Sequence, residues 1–298
     1  MRLYSHDPPR VDTTLDNWIH HTREGLSPVR RNPMAPTEPR PLRYTATLVA
    51  IGAIAGILSG LFGVGGGIII VPALVLLLGI EQRRATGTSL LAVVPISIAA
   101  AAFYVANGAI DWRVAGLLAV GIVIGGQIGS LLLAKLPQRT LRWIFIAFML
   151  AVAVRMLLAM PESIDGTLDM DVWRIILLPL IGVAFGVLAG LLGVGGGVFI
   201  VPALILGFGV GELDARGTSL VAIIPGGITS TISNLRRKNV LLREGLTVGL
   251  VGAAFTFAGG ALAFLIPAGV GNILFGILLA VLAIRLIVSD LRATRKNR

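Results

Sequence analysis

Long apolar segments without a charged residue alternate with short polar connections along most of this chain. Three of them span residues 45–80, 85–110 and 114–134. A helix needs about 20 apolar residues to cross the hydrocarbon core of a bilayer. The pattern therefore predicts membrane-spanning helices, and we expect an all-α polytopic membrane protein whose solvent is the lipid bilayer.

The second feature of the pattern is an internal repeat. Residues 56–77 read GILSGLFGVGGGIIIVPALVLL and residues 186–207 read GVLAGLLGVGGGVFIVPALILG, an offset of 186 − 56 = 130 residues. The same offset aligns Gly87-Thr88-Ser89 with Gly217-Thr218-Ser219, Pro95 with Pro225, Pro137 with Pro267, Phe145 with Phe275 and Arg155 with Arg285. Agreement over about 100 residues indicates a duplicated structural unit.

Each copy of the repeat predicts about five helical segments. They span 44–62, 68–80, 86–106, 114–134 and 141–160 in the first copy, and 174–192, 198–210, 216–234, 244–265 and 271–289 in the second. The second segment of each copy has about 13 residues and reaches roughly 20 Å, short of a bilayer core of about 30 Å. We expect a short broken helix there, after a glycine-rich bend.

The basic residues indicate how the two copies face in the membrane, because loops rich in Lys and Arg stay on the cytoplasmic side. All basic clusters fall on one side if the second copy is inverted relative to the first. These clusters are Arg83-Arg84, Lys135 with Arg139 and Arg142, Arg236-Arg237-Lys238 with Arg243, and both terminal tails. The charges therefore predict two inverted-topology repeats. A parallel duplication is the alternative.

The remaining segments complete the predicted organisation. Residues 1–43 are rich in Pro and Arg and lack an apolar run, which predicts a disordered basic cytoplasmic tail. The first membrane repeat is assigned to 44–160, an acidic extracytoplasmic linker to 161–173, the second membrane repeat to 174–289 and a basic cytoplasmic tail to 290–298. We expect a multi-pass protein of the cell inner membrane with both termini cytoplasmic.

Composition removes several classes of function. The net charge of +10 arises from residues in the tails and at helix ends, which favours membrane orientation over binding of nucleic acid. The chain has no Cys, and its three His residues lie in the N-terminal tail. The apolar segments are also expected to lack Asp and Glu. We therefore predict no metal site, no cofactor and no proton relay in the membrane, and we do not expect an enzyme.

The motif Gly-Val-Gly-Gly-Gly occurs at 63–67 and again at 193–197. One interpretation is a tight bend, because glycine tolerates positive φ. The other is functional: a helix that begins after the bend points unpaired N–H groups and the positive end of its dipole at a site for an anion. The candidate substrate-binding glycines are Gly65, Gly66, Gly67, Gly195, Gly196 and Gly197.

A Gly-Thr-Ser motif follows in each copy. Hydroxyl residues at a helix start are ordinarily N-caps, but these could instead donate to an anion held between the copies. The candidate substrate-binding set is completed by Thr88, Ser89, Thr218 and Ser219. Prolines interrupt the membrane segments at matching places, which points to a transport site between the copies. They are Pro72, Pro202, Pro95 and Pro225.

These motifs resemble the sulfite exporter TauE/SafE family of membrane transporters. The resemblance rests on the two Gly-x-Gly-Gly-Gly motifs, the Val-Pro-Ala-Leu runs at Val71 and Val201, the Gly-Thr-Ser motifs and the turn 108–112, and it covers about 45–288. The second copy departs from the pattern at 238–242. The resemblance implies transport of a small anion, sulfite or an organosulfonate, with export the commonest direction. A homo-oligomer is compatible with it.

Two other functions remain open at this point. The same unwound segments could present carbonyl oxygens to a cation or a neutral solute. An intramembrane enzyme or a non-transporting assembly protein is the third hypothesis, although no membrane segment contains a Ser/His, Asp/Asp or His/Glu arrangement.

Overall fold

The computed structural model describes residues 42–133, 135, 137–158, 171–267 and 270–296. Every regular element in this part of the chain is an α-helix. In order they are α1 (Leu42–Phe62), α2 (Gly67–Leu78), α3 (Gln82–Ala106), α4 (Trp112–Leu133), α5 (Gln138–Leu158), α6 (Val172–Leu192), α7 (Gly197–Phe208), α8 (Glu212–Arg236), α9 (Leu242–Leu265) and α10 (Val270–Lys296). The expectation of an all-α polytopic membrane protein is confirmed.

The helices follow the order of the predicted segments. Among the described residues, α1, α3, α4, α6 and α9 have 21 to 25 residues each and are apolar enough to cross a membrane. Helices α2 and α7 have 12 residues each, about 18 Å, and are the short helices expected after the glycine motifs. Helix α10 continues past the predicted end at 289. The predicted tail up to residue 41 and the acidic linker at 161–170 lie outside the described residues.

Rows of glycine let helices from different halves pack backbone against backbone. On α1, the residues Gly52, Gly56 and Gly60 face α9, and a Cβ atom added to Gly56 would lie 2.7 Å from the Cα atom of Gly252. Helix α4 packs on α6 in the same way, through a second row of glycines spaced four apart that begins at Gly121. Close approach of this kind is how membrane helices gain packing energy without a hydrophobic driving force. Each half therefore buries its glycine rows against the other half.

The contacts between helices also give the directions in which they run. Helices α3 and α8 occupy equivalent places in the repeat, and their residues meet in reverse order. Tyr104 lies against Gly217, whereas Val94, earlier in α3, lies against Gly227, later in α8. The two equivalent helices are therefore antiparallel. This packing supports the inverted topology predicted from the charges.

The loops at the two ends of these helices differ in charge. Gly87, near the start of α3, lies against the backbone of Asn239 in the α8–α9 connection. This contact brings Arg83 and Arg84 to the same end as the basic run 236–238. The opposite end contains the start of α8, with its two acidic residues in the first turn. The basic residues are thus concentrated at one end of the helices.

Large apolar side chains cover much of the outside of the described helices. Ile54, Leu180 and Leu250 are each more than half exposed, which in water would be a large apolar surface. Trp112 and Trp173 lie at the starts of α4 and α6 and are 61% and 51% exposed. Tryptophan at helix ends is typical of the interface between lipid and water. The exposed surface is therefore the one that lipid would cover.

We expect Gly56→Ala to destabilise the protein by about 1–3 kcal/mol, because the added methyl group would overlap the backbone of Gly252 and push α1 away from α9. Gly116→Ala is the matched control, since Gly116 also lies in a long helix but has open space at its Cα atom. There, the higher helix propensity of alanine predicts equal or greater stability. Thermal unfolding in detergent measures both variants, and equal midpoints for the two would contradict this packing.

Candidate functional site

Each glycine-rich motif forms a sharp corner between a long helix and a short one. In the first corner, residues 63–67, the φ angles of Gly63, Gly65 and Gly66 are 70°, 76° and 77°. In the second corner, residues 193–197, the equivalent angles are 73°, 85° and 95°. Left-handed backbone of this kind costs a residue with a Cβ atom roughly 1–2 kcal/mol. The interpretation of the motif as a tight bend is confirmed.

The two corners are in direct backbone contact. A Cβ atom added to Gly67 would lie 2.6 Å from the carbonyl oxygen of Val194, and one added to Gly197 would lie 2.6 Å from the Cα atom of Val64. Gly67 and Gly197 are the first residues of α2 and α7. The N-terminal ends of the two short helices therefore lie next to each other, and the structure brings the six candidate glycines together.

The corners lie halfway along the long helices and not at their ends. Val93 of α3 lies against both Gly65 and Gly195, and Ile223 of α8 lies against Gly65 and Gly196. Both side chains are buried, and each is near the middle of a helix of 25 residues. The ends of α2 and α7 thus meet deep inside the helix bundle, among apolar side chains.

One serine hydroxyl from each half forms a hydrogen bond to the corner of the other half. The hydroxyl of Ser89 donates to the carbonyl oxygen of Gly193 at 2.7 Å, and that of Ser219 donates to the carbonyl oxygen of Gly63 at 2.7 Å. Both serines are fully buried. A serine has one hydroxyl proton, so each proton is used by a corner carbonyl. These two candidate residues therefore touch the corners through the main chain.

The threonines of the same motifs hold the connections of the opposite half. Thr88 Oγ1 accepts a hydrogen bond from the N–H group of Leu241 at 3.0 Å, and Thr218 Oγ1 accepts one from the N–H group of Asp111 at 2.9 Å. Both threonines are fully buried. Each Gly-Thr-Ser motif thus fixes one corner and one connection of the other half.

The interpretation of these motifs as helix N-caps is wrong. Helix α3 begins at Gln82 and α8 begins at Glu212, so both motifs lie inside their helices. The apolar pattern starts only after these first turns, because the first turns carry charged residues. A helix boundary drawn from apolarity alone therefore falls about one turn too late.

Both corners lie in stretches that a family model recognises. The model, described as sulfite exporter TauE/SafE, matches residues 21–156 and 178–298. The chain belongs to this family. The resemblance carried by the glycine and Gly-Thr-Ser motifs is confirmed, and the protein is a membrane transporter of the TauE/SafE family.

Several similar proteins are described as probable membrane transporters. One from Haemophilus influenzae is 34% identical over 194 residues, which cover 61% of this chain and 70% of the relative. YunE of Bacillus subtilis is 29% identical over 210 residues, 63% of this chain and 77% of the relative. One from Xylella fastidiosa is 28% identical over 190 residues, 63% and 73% of the two chains. No solved structure gives a significant match.

This TauE/SafE protein places residues at the corners that are absent from the predicted substrate-binding set. Val93 and Ile223 are related by the repeat offset, and this relation could have pointed to them. Neither residue otherwise differs from the many other apolar residues of the membrane segments. The hydroxyl oxygen of Ser97 lies 3.1 Å from the position of a Cβ atom on Gly65. The Tyr104 hydroxyl donates to a carbonyl oxygen of α1 just before the first corner, at 2.8 Å.

Two charged residues in the described helices of this transporter are buried. The expectation that the apolar segments lack Asp and Glu is wrong at Glu244, which is 3% exposed in α9 and accepts a hydrogen bond from the Tyr44 hydroxyl at 3.1 Å. Arg216 is buried in α8 and pairs with Glu212 one turn earlier. Among the described residues, no group of three or more His, Asp or Glu side chains could hold a metal ion.

We expect Ser89→Ala and Ser219→Ala each to lower stability by about 1–3 kcal/mol, because the buried carbonyl groups of Gly193 and Gly63 would lose their hydroxyl donors. Thr247→Ala is the control, since that hydroxyl donates to a carbonyl of its own helix. Its removal should change stability by less than about 0.5 kcal/mol. Unfolding in detergent gives all three values. A control that loses as much as the serine variants would argue against a special role of the corner bonds.

Proposed function

We propose that this transporter moves a small anion, sulfite or an organosulfonate, out of the cell through a site between the two corners. The observation that carries the proposal is the meeting of two helix N-terminal ends midway along the membrane helices. N-terminal ends of helices bind anions through main-chain N–H groups and through the helix dipole. Broken helices that point at a central site are a known feature of secondary transporters.

The partial charges of α2 and α7 suit a monoanion. Each helix N-terminus carries the equivalent of roughly +0.5 elementary charge, so two neighbouring ends present about +1. The surrounding side chains, Val64, Val93 and Ile223, are buried and apolar, so water screens this charge weakly. A hydrogensulfite ion or a sulfonate group would balance it. A dianion, such as sulfate or the doubly charged form of sulfite, would leave about one negative charge uncompensated in apolar surroundings, so the proposed form of sulfite is hydrogensulfite.

In this proposal the glycines bind the anion, and the hydroxyl residues hold the corners and connections in position. The candidate residues 65–67 and 195–197 have no side chain of their own that would keep an anion away from their main-chain N–H groups. The valine of each motif lies outside this set. Ser89 and Ser219 keep the corners in register through their bonds to the corner carbonyls. The threonines of the same motifs hold the connections that lead into α4 and α9.

A cation or a neutral solute is the alternative occupant. A cation would be coordinated by carbonyl oxygens of the unwound corners. The carbonyl oxygens of Gly63 and Gly193 already accept serine hydroxyls, which weakens them as ligands for a cation. The description of the family as sulfite exporters also favours the anion.

The membrane potential supplies enough energy for the proposed export. An inside-negative potential favours the exit of an anion by about 2.3 kcal/mol per charge per 100 mV. Efflux by uniport therefore needs no proton relay in the membrane.

Purified protein in liposomes tests the proposed function. Vesicles are loaded with hydrogensulfite, methanesulfonate, sulfate or chloride, and efflux is followed with the potential clamped inside-negative, at zero or inside-positive. We expect hydrogensulfite and methanesulfonate to leave faster than sulfate, and an inside-negative potential to accelerate both. Efflux of all four anions at the rate of protein-free vesicles would overturn the proposal. Faster movement of a cation than of any anion would favour the alternative.

A pair of glycine variants in the same assay distinguishes the effect of a side chain at the corner from the effect of backbone strain alone. Gly66 has a φ of 77°, and a Cβ atom added to it would lie 3.0 Å from the carbonyl oxygen of Ala55. Gly79, at the other end of α2, has a φ of 64° and open space around it. We expect Gly66→Val to reduce efflux to below about a tenth, and Gly79→Val, which carries similar strain, to retain most of it. Both variants should insert in the membrane.

The unequal charge of the two ends predicts the orientation of the protein. The end with Arg83, Arg84 and the run 236–238 should be cytoplasmic. Because the chain lacks Cys, a single cysteine at an exposed position can be labelled without background. We expect a membrane-impermeant thiol reagent to label Asn107→Cys in intact cells, and Arg237→Cys only after permeabilisation. The reverse pattern would reverse the orientation.

A further inference from the structure

Buried hydroxyl residues without a hydrogen-bond partner in the part of the chain that the structure describes lie beside both corners, but they differ. Thr86 lies against Gly193 of the second corner with its backbone and its methyl group, whereas two serines lie beside the first corner. Ser59 of α1 and Ser97 of α3 are fully buried, and neither hydroxyl has a hydrogen-bond partner among the described residues. At the repeat offset, the second half has Ala189 in place of Ser59 and Gly227 in place of Ser97. The two halves therefore differ chemically beside the corners, although their helices are equivalent.

Ser97 directs its hydroxyl at the first corner. The oxygen lies 3.1 Å from the position of a Cβ atom on Gly65. At the equivalent position on Gly195, the three nearest atoms all belong to the side chain of Val93. The bend before α2 thus has a hydroxyl oxygen next to the apolar side chains of Val93 and Ile223, whereas the nearest atoms at the bend before α7 are all apolar.

Ser59 lies on the face of α1 that packs against the same corner. Ala55, four residues earlier and therefore on the same face, has its carbonyl oxygen 3.0 Å from the Cβ position of Gly66. In the second half, Ala189 takes the place of Ser59, and its Cβ atom lies 3.4 Å from the Cβ position of Gly196. The repeat therefore puts Ser59 beside the first corner, as Ala189 is beside the second.

The two unpartnered serine hydroxyls beside the first corner can each donate to an acceptor. A buried hydroxyl without a hydrogen bond costs free energy. The group next to these hydroxyls is the N-terminal end of α2, whose first N–H groups have no acceptor within the helix and carry the positive end of the dipole. Hydroxyl and main-chain N–H donors that lie on different elements beside one corner suit an anion with several oxygen atoms.

We propose that the transported anion is bound asymmetrically, at the first corner, where the Ser97 hydroxyl donates to one of its oxygen atoms and Ser59 completes the donor set. The inference rests on the proposed anion transport and adds which half holds the anion. It also assigns the chemical class. Donors at separate positions favour an oxyanion such as hydrogensulfite or a sulfonate over a spherical halide.

Ser97→Ala tests this assignment in liposomes, with transport of hydrogensulfite measured as a function of its concentration. We expect KM to rise about tenfold or more with little change in the maximal rate, because the variant loses a donor to the bound anion. Ser59→Ala, which introduces the residue of the second half, should raise KM in the same direction. KM for chloride, where chloride is transported, should change less than KM for hydrogensulfite.

Thr231→Val is the matched control. It also removes a buried hydroxyl that has no hydrogen-bond partner among the described residues. It lies eight residues beyond Ile223 on α8, about 12 Å along the helix axis from the corners. Its KM should equal that of the wild type. None of the three variants should melt at a lower temperature, since each removes an unpartnered polar atom.

The outcomes separate this inference from the proposed function. An active wild type with unchanged KM in both serine variants would overturn the asymmetric site and leave anion transport standing. An equal rise of KM in Thr231→Val would overturn the site as well, because the effect would then not depend on the corner. A wild type that moves no anion would overturn the proposed function and, with it, the assignment of Ser97.

Discussion

Backbone contact between the two glycine corners is the constraint on which the rest of this membrane domain depends. Each corner has three residues in left-handed conformation, and its last glycine lies against the main chain of the opposite corner. A side chain at Gly65 or Gly66 would be strained, while one at Gly67 would overlap the opposite backbone. Glycine is thus required for two independent physical reasons within three consecutive positions, and the same holds for the second corner.

The long helices support this contact by making the two halves into one core. Helix α1 packs on α9 and α4 on α6, so the glycine rows of each half are buried by the other half. The bond from Ser219 to Gly63 crosses between the halves again, as does the equivalent bond from Ser89 to Gly193. Because lipid supplies no hydrophobic drive between helices, close backbone approach and buried hydrogen bonds must provide the stabilisation. Both are concentrated around the corners.

Much of this architecture follows from local signals in the sequence. Apolar runs give the helices, the repeat offset gives their equivalence, and the glycine motifs give the bends and the short helices. The first turn of α3 was hidden because Gln82 and Arg83 are polar. The contacts between the two halves cannot be predicted from local sequence, because the contacting residues are far apart in the chain. Ser89 and its acceptor, for example, are 104 residues apart. Likewise, Val93 resembles every other apolar residue until the fold places it against both corners.

Two positive helix ends that lie side by side repel each other, and carbonyl dipoles offset this repulsion. The carbonyl oxygens of Gly193 and Val194 lie against Gly67, and that of Gly63 lies against Gly197. Under the proposed function, an anion at the end of α2 would interact with the same positive helix end that these carbonyl oxygens lie beside. Ser89 and Ser219 hold two of the same carbonyls. Displacing a corner would therefore shift α3 or α8, which links occupancy of the centre to the helices that lead to the two membrane faces.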